Sequence, residues 1–228
     1  MRTMAGETIK SEGICLAIYS WSRTSHVVEW LTPEGPATTV VKGAVRAKSL
    51  FLGQYDLNYT CEIVRYARTK NGVSALKECT PLRRRDNLRK GFRRLGAASW
   101  FRMLAAELSP SGSDAREFFA ALDEALSALE GILTREELLA KVIAFELKIL
   151  NLVGLTPELE AEDGVFRLRG ERQIPVSKEI LDCIRNPRRE KNLKILLETA
   201  RVIGVYYTFH LDCAPEVRRT VLRMISDN

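Results

Sequence analysis

Tyr55-Asp56-Leu57-Asn58-Tyr59-Thr60-Cys61-Glu62-Ile63-Val64-Arg65-Tyr66 is the stretch on which the fold turns. In an extended chain Tyr55, Leu57, Tyr59, Cys61 and Ile63 share one face, and Asp56, Asn58, Thr60 and Glu62 share the other. That period of two predicts a strand with one buried side. Downstream, Asn71-Gly72 is a hairpin turn, and Val73 to Cys79 leads away from it. Upstream, residues 13–19 alternate with Ile14, Leu16 and Ile18 on one face, and residues 26–31 carry Val27, Val28, Trp30 and Leu31. Thr32-Pro33-Glu34-Gly35-Pro36 is a turn. Thr38 to Val41 is β-branched throughout, which favours a strand, and Gly43 ends that run. Five short strands in about 80 residues predict a small closed barrel, because closure hides edge strands. An OB-type and an SH3-like barrel both satisfy the pattern.

Past residue 80 the period changes. Leu88, Phe92, Leu95, Ala98, Phe101, Leu104 and Leu108 recur every three or four positions and predict an amphipathic helix over 84–108. Ser109-Pro110-Ser111-Gly112 breaks it. Ser113 is a cap for the next helix, whose stripe is Phe118, Phe119, Leu122, Leu126 and Leu129. Thr134 and Glu137 form a capping box. The helix they open is apolar on most sides from Leu138 to Leu152, as expected at the centre of a bundle, and Gly154 is its C-cap. Residues 155–175 are expected to be irregular, with a short hairpin around Val165 to Leu168. Helices follow near 176–185, 189–209 and 215–226. The expected class is α+β: a barrel over 1–80 and a helical domain over 81–228 with a basic first helix.

The chain of 228 residues carries a net charge of +6, which permits a polyanionic partner without requiring one. Nothing approaches the roughly 18 apolar residues of a membrane span, and no apolar segment follows Arg2 as in a secretory signal. Cys15, Cys61, Cys79, Cys183 and Cys213 are odd in number and far apart, which suits reduced thiols in a cytoplasm. There is no G-x-x-x-x-G-K-[ST] loop, no G-x-G-x-x-G and no C-x-x-C, and the only histidines are His26 and His210. No catalytic residue, metal site or cofactor is expected. Glu136/Glu137 and Glu160/Glu162/Asp163 are expected to be a solvated acidic face.

Charge is segregated along the chain. Residues 81–104 hold eight basic side chains and one acid, whereas 105–164 hold four basic and thirteen acidic. The candidate DNA-binding residues are first Arg83, Arg84, Arg85, Arg89, Lys90, Arg93 and Arg94. On the expected helix Arg85, Arg89 and Arg93 form a positive stripe that opposes the macrodipole at the N-terminus. A polyanion relieves that repulsion; neutralisation by the acidic middle segment is the alternative. Lys42, Arg46 and Lys48, after the third strand, are a second group. Among aromatic residues, Tyr19 and Trp21 beside Arg23 are the candidates for stacking on bases.

Several stretches resemble the bacterial RecO family. Lys10-Ser11-Glu12-Gly13-Ile14-Cys15-Leu16 is similar to that family's opening strand, K-x-E-G-I-V-L. Ser22 to Gly35 resembles its second strand and turn. Val41 to Ser49 resembles the signature V-x-K-G-A-R-R-x-K-S, with Val45 in place of one arginine. Gln54 through Glu62 resembles the fourth strand, and Phe145 to Pro157 resembles F-E-L-x-L-L-x-x-L-G-Y-x-P. The likeness covers about 8–160. Many members carry a four-cysteine zinc module beyond it; only Cys183 and Cys213 lie there in this chain, so zinc is not implied.

The resemblance implies an OB-type barrel and a non-enzymatic recombination mediator of the RecF pathway, located in the bacterial cytoplasm on the nucleoid. Barrel and basic helix would bind single- and double-stranded DNA and anneal complementary strands. With RecR the protein would help RecA load onto strands coated by single-strand-binding protein, whose acidic C-terminal tail it would contact. Two rivals follow from the residues: an adaptor whose basic helix docks an acidic partner segment, and a nuclease. The nuclease needs a carboxylate metal site, and Asp86 is the only acid within 81–104.

Overall fold

The computed structural model describes residues 7–67, 72–112, 114–159, 165–167, 173–211 and 215–227. Two compact units are present: residues 1–85 with 108–123, and residues 86–107 with 124–228.

The first unit is built on five strands, β1 (Thr8–Ser20), β2 (His26–Thr32), β3 (Gly35–Val41), β4 (Thr60–Tyr66) and β5 (Val73–Arg83). They close into a barrel in the order β1-β2-β3-β5-β4, with β3 parallel to β5 and the other pairs antiparallel. This is the OB arrangement, which settles the choice between barrel types. Apolar residues on alternate positions make the interior: Cys15, Val28, Trp30, Val41, Tyr59, Cys61, Ile63, Leu76 and Cys79. Trp30 is the largest of them. Its indole N–H donates to the Thr39 hydroxyl at 2.9 Å, so the buried polar end is satisfied. Gly13 makes room for it: a Cβ there would lie 3.2 Å from the Trp30 ring and 3.1 Å from Ile63.

Two expected elements differ. The strand expected over 55–66 begins only at Thr60. Asn58 adopts a left-handed backbone (φ 68°) and the Tyr59 amide closes a turn on the Asp56 carbonyl, which ends the extended run. The interior face survives in Tyr59, Cys61 and Ile63, with Tyr55 and Leu57 packed against it from the preceding loop. The helix expected over 84–108 is three pieces. Strand β5 runs through Arg83, which pairs with Thr60; a 3₁₀ turn follows at Asp86–Lys90; α1 (Phe92–Leu108) starts only after Gly91. Arg85 sits in the left-handed region (φ 51°) and turns the chain between them.

The second unit is helical. Besides α1 it uses α3 (Arg135–Leu152), α4 (Lys178–Arg185), α5 (Leu193–His210) and α6 (Pro215–Ser226); α2 (Ala115–Ala128) crosses the division between units. The antiparallel pairing expected around Val165 to Leu168 is part of a three-stranded sheet, β6 (Glu158–Leu159), β7 (Val165–Arg167) and β8 (Gln173–Pro175); Leu168 lies outside the described residues. The capping box at Thr134 and Glu137 is formed in both directions, at 3.2 and 3.0 Å. Gly154 (φ 73°) ends α3, with the Leu155 amide bonded to the Leu150 carbonyl. Ser113, Asn71 and Cys213 lie outside the described residues.

Helix α3 is buried along most of its length, and so is one charge on it. Glu146 is fully enclosed and paired with Arg218 of α6 at 2.7 and 2.8 Å; Trp100 of α1 donates to the same carboxylate at 2.8 Å. Arg218 Nη2 also donates to the Ala200 carbonyl of α5 at 2.8 Å. Gly204 is where the guanidinium passes, since a Cβ there would meet Arg218 at 2.4 Å. Removing one partner leaves a buried charge uncompensated. Glu146→Ala is expected to lower stability by about 3–5 kcal/mol in urea denaturation, and a Glu146→Leu/Arg218→Met double variant to recover most of it. A single variant as stable as the parent refutes this account.

Candidate nucleic-acid interface

The arginine run is largely engaged by the protein itself. Arg83, at the end of β5, donates to Glu12 (3.1 Å) and Asp123 (3.2 Å). Arg85 is sealed in: it donates to the Asn58 carbonyl at 2.7 Å and the Thr60 hydroxyl at 2.9 Å, and pairs with Asp123 at 2.5 Å. This network lies over the outer side of β4. It explains why Asn58 and Thr60, on the face expected to meet solvent, are buried. Burial opposes the charge on Asp123, but the Thr60 hydroxyl and the Arg85 and Arg83 guanidiniums outweigh it and hold the carboxyl below its ordinary range.

Arg93 and Arg94 act as C-terminal caps. Arg93 donates to the carbonyls of Met224 and Asp227 at the end of α6, and Arg94 to those of Glu130 and Gly131 just past α2. Helix C-termini carry free carbonyls and partial negative charge, so a guanidinium there is well placed. Gly91 leaves the space: a Cβ would sit 2.7 Å from Arg94. Arg84, Arg89 and Lys90 have exposed side chains, Arg84 on the first unit and the other two on the second. The single stripe of Arg85, Arg89 and Arg93 does not form, because strand end, 3₁₀ turn and helix point these positions differently.

Lys42, Arg46 and Lys48 are all exposed, on the loop from β3 to β4. No aspartate or glutamate occurs from Gly35 to Tyr55. Among the described residues no carboxylate lies within ion-pair distance of these three cations. The loop is well tethered. The Val45 amide donates to the Thr24 carbonyl at 3.3 Å, and the Gly43 amide to the Ser25 hydroxyl at 3.3 Å. His26 Nδ1 meets the Tyr55 hydroxyl at 2.7 Å, and the Cys61 thiol donates to the Gln54 carbonyl at 3.5 Å. Gly43 (φ 68°) has the Arg46 side chain folded against it, 3.3 Å from where a Cβ would stand. These bonds bring the β1–β2 turn, with exposed Trp21 and Arg23, beside the cationic loop. That makes a fourth cation on the same barrel end. Sequence spacing did not reveal its company, because residues 23 and 46 are joined only through the fold.

A family model described as recombination protein O C terminal matches residues 89–225. The DNA repair protein RecO of Rhodopirellula baltica is 31% identical over 146 residues, which is 63% of this chain and 53% of that protein. The chain therefore matches about half the length of that relative.

The position of Asp123 carries a pH-dependent consequence. Its folded-state pKa is lowered, so its contribution is complete above the ordinary value of about 4 and fades as pH falls through the folded value. The Asp123 side chain keeps 21% of its surface in water while Arg85 keeps none. Asp123→Asn is therefore expected to cost about 3 kcal/mol at pH 7, the lower end for a broken buried pair. In urea denaturation at pH 7 and pH 3, the gap between variant and parent should narrow at the lower pH; a constant gap contradicts the assignment.

Proposed function

Because the chain belongs to the RecO family, we propose that it is a DNA-binding recombination-repair mediator that works by holding strands and not by making or breaking bonds. The observation that carries this reading is the barrel end at which Arg23, Lys42, Arg46 and Lys48 stand exposed with no carboxylate between Gly35 and Tyr55. Such a surface gains free energy by taking phosphates in place of condensed counterions. Phosphate contacts position a strand without reading its sequence, so binding is indifferent to base order. Two strands lying on positive surface repel each other less, which favours their annealing.

In this reading Lys42, Arg46 and Lys48 lead, and Arg84, Arg89 and Lys90 extend the positive surface of their own units. Arg83, Arg85, Arg93 and Arg94 support the fold from which the others project. The partners proposed are single- and double-stranded DNA, RecR, and the acidic C-terminal tail of single-strand-binding protein, with RecA loaded as the result. Among the described residues no helix is long and apolar enough to cross a membrane.

Fluorescence anisotropy of labelled oligonucleotides across a salt titration tests the proposal. Affinity for a single strand should fall with a log–log slope of roughly −0.7 per phosphate contact. Lys42→Glu, Arg46→Glu and Lys48→Glu combined should make the slope shallower by about 2 and abolish annealing, with the thermal transition unchanged. A salt-independent affinity, or undiminished annealing by the triple variant, removes the proposal.

A further inference from the structure

Trp21 has no structural employment. The other two tryptophans do: Trp30 fills the barrel at 0% exposure and Trp100 is held by Glu146 at 1%. Trp21 is 70% exposed. Its indole N–H has no partner among the described residues, and yet its backbone is closely held. The Trp21 amide donates to the Ser25 carbonyl at 2.9 Å, the Ser22 amide to the same oxygen at 3.3 Å, and the Thr24 amide to the Ser22 hydroxyl at 3.4 Å. The Val45–Thr24 and Gly43–Ser25 bonds then fasten this turn to the cationic loop. The result is a large flat ring presented on a fixed turn, beside Arg23 and next to a segment carrying Lys42 and Arg46.

We infer that Trp21 is a stacking platform for an unpaired base, and that it gives this surface a preference for single-stranded over duplex DNA; the inference rests on the proposed reading of the barrel end as a DNA surface. Cations alone do not discriminate strongly, since both forms of DNA present phosphates. An aromatic face does, because a duplex keeps its base faces inside its own stack while a single strand can turn one out. A ring on a tethered turn stacks with little further loss of backbone freedom. Tyr19 is a poorer platform: its hydroxyl lies 3.4 Å from the Glu29 carboxylate, and that negative charge repels a strand's phosphates. Val45, Leu50 and Leu52 are exposed on the neighbouring loop and add apolar surface for sugar and base.

Trp30 and Trp100 also emit, but both are buried out of reach of a bound base, so a change in tryptophan emission on binding reports on Trp21. Three probes are titrated into the full chain at low salt: an oligodeoxythymidylate, a duplex of equal length, and heparin, a polyanion without bases. Binding of each is read separately by anisotropy or by displacement of a labelled strand. The oligodeoxythymidylate is expected to quench the emission, while heparin and the duplex bind with little quenching. Trp21→Ala should weaken the single strand about tenfold and leave the duplex and heparin within about twofold. Trp21→Phe should retain most of the single-strand affinity while losing the fluorescence response. Equal quenching by heparin, or unchanged oligodeoxythymidylate affinity in Trp21→Ala, overturns the stacking role while leaving the cationic surface in place. Failure of all three probes to bind, or binding unaffected by reversal of Lys42, Arg46 and Lys48, removes the underlying DNA reading instead.

Discussion

The contact between Arg85 and Asp123 decides what the rest of the arginine run can do. A guanidinium withdrawn wholly from water needs a counter-charge and a partner for each remaining N–H. Asp123 supplies the counter-charge, and with the Thr60 hydroxyl and the Asn58 carbonyl it takes hydrogen bonds from both Nη atoms. Meeting that demand bends the chain at Arg85 into a left-handed conformation, keeps Arg83 in β5, and covers the outer side of β4. A segment that has the composition of a nucleic-acid-binding helix is thereby converted in large part into structural cement. Arg84, Arg89 and Lys90 stay exposed in that segment, and the loop that composition alone ranks second exposes Lys42, Arg46 and Lys48 as well.

How much of this was legible in the amino-acid sequence depends on the range of each interaction. Local devices are readable: the capping box needs only residues 134 and 137, and the left-handed cap after α3 needs only Gly154. Alternation in Tyr59, Cys61 and Ile63 is also readable, because the pleat imposes it. Asn58 and Thr60 mislead because their partners are Arg85 and, for Thr60, Asp123, which no period of two announces. Glu146 misleads in the same manner. It stands in an otherwise apolar helix, between Phe145 and Leu147, and its partner lies 72 residues further on.

The candidate surface was half legible. The absence of carboxylates from Gly35 to Tyr55 can be counted directly, and it singles out Lys42, Arg46 and Lys48. What counting does not show is the seam between the β1–β2 turn and that loop, made by one backbone bond from Val45 and one side-chain bond from Ser25. Through it Arg23 and Trp21 join residues 19 to 27 positions away. The family relation bears on the recombination role of the chain, whereas which arginines find partners within the protein comes from geometry.

The pairing of Glu146 with Arg218 has a consequence for biosynthesis. A polypeptide emerging from the ribosome exposes the α3 carboxylate well before the guanidinium that neutralises it has been translated. Until then, packing α3 means enclosing a lone anion, so the helical bundle cannot settle in step with elongation and must wait for α6. The barrel strands, which owe nothing to residue 218, are under no such delay. Nascent chains stalled before codon 218 should consequently hold an ordered barrel beside an unconsolidated bundle.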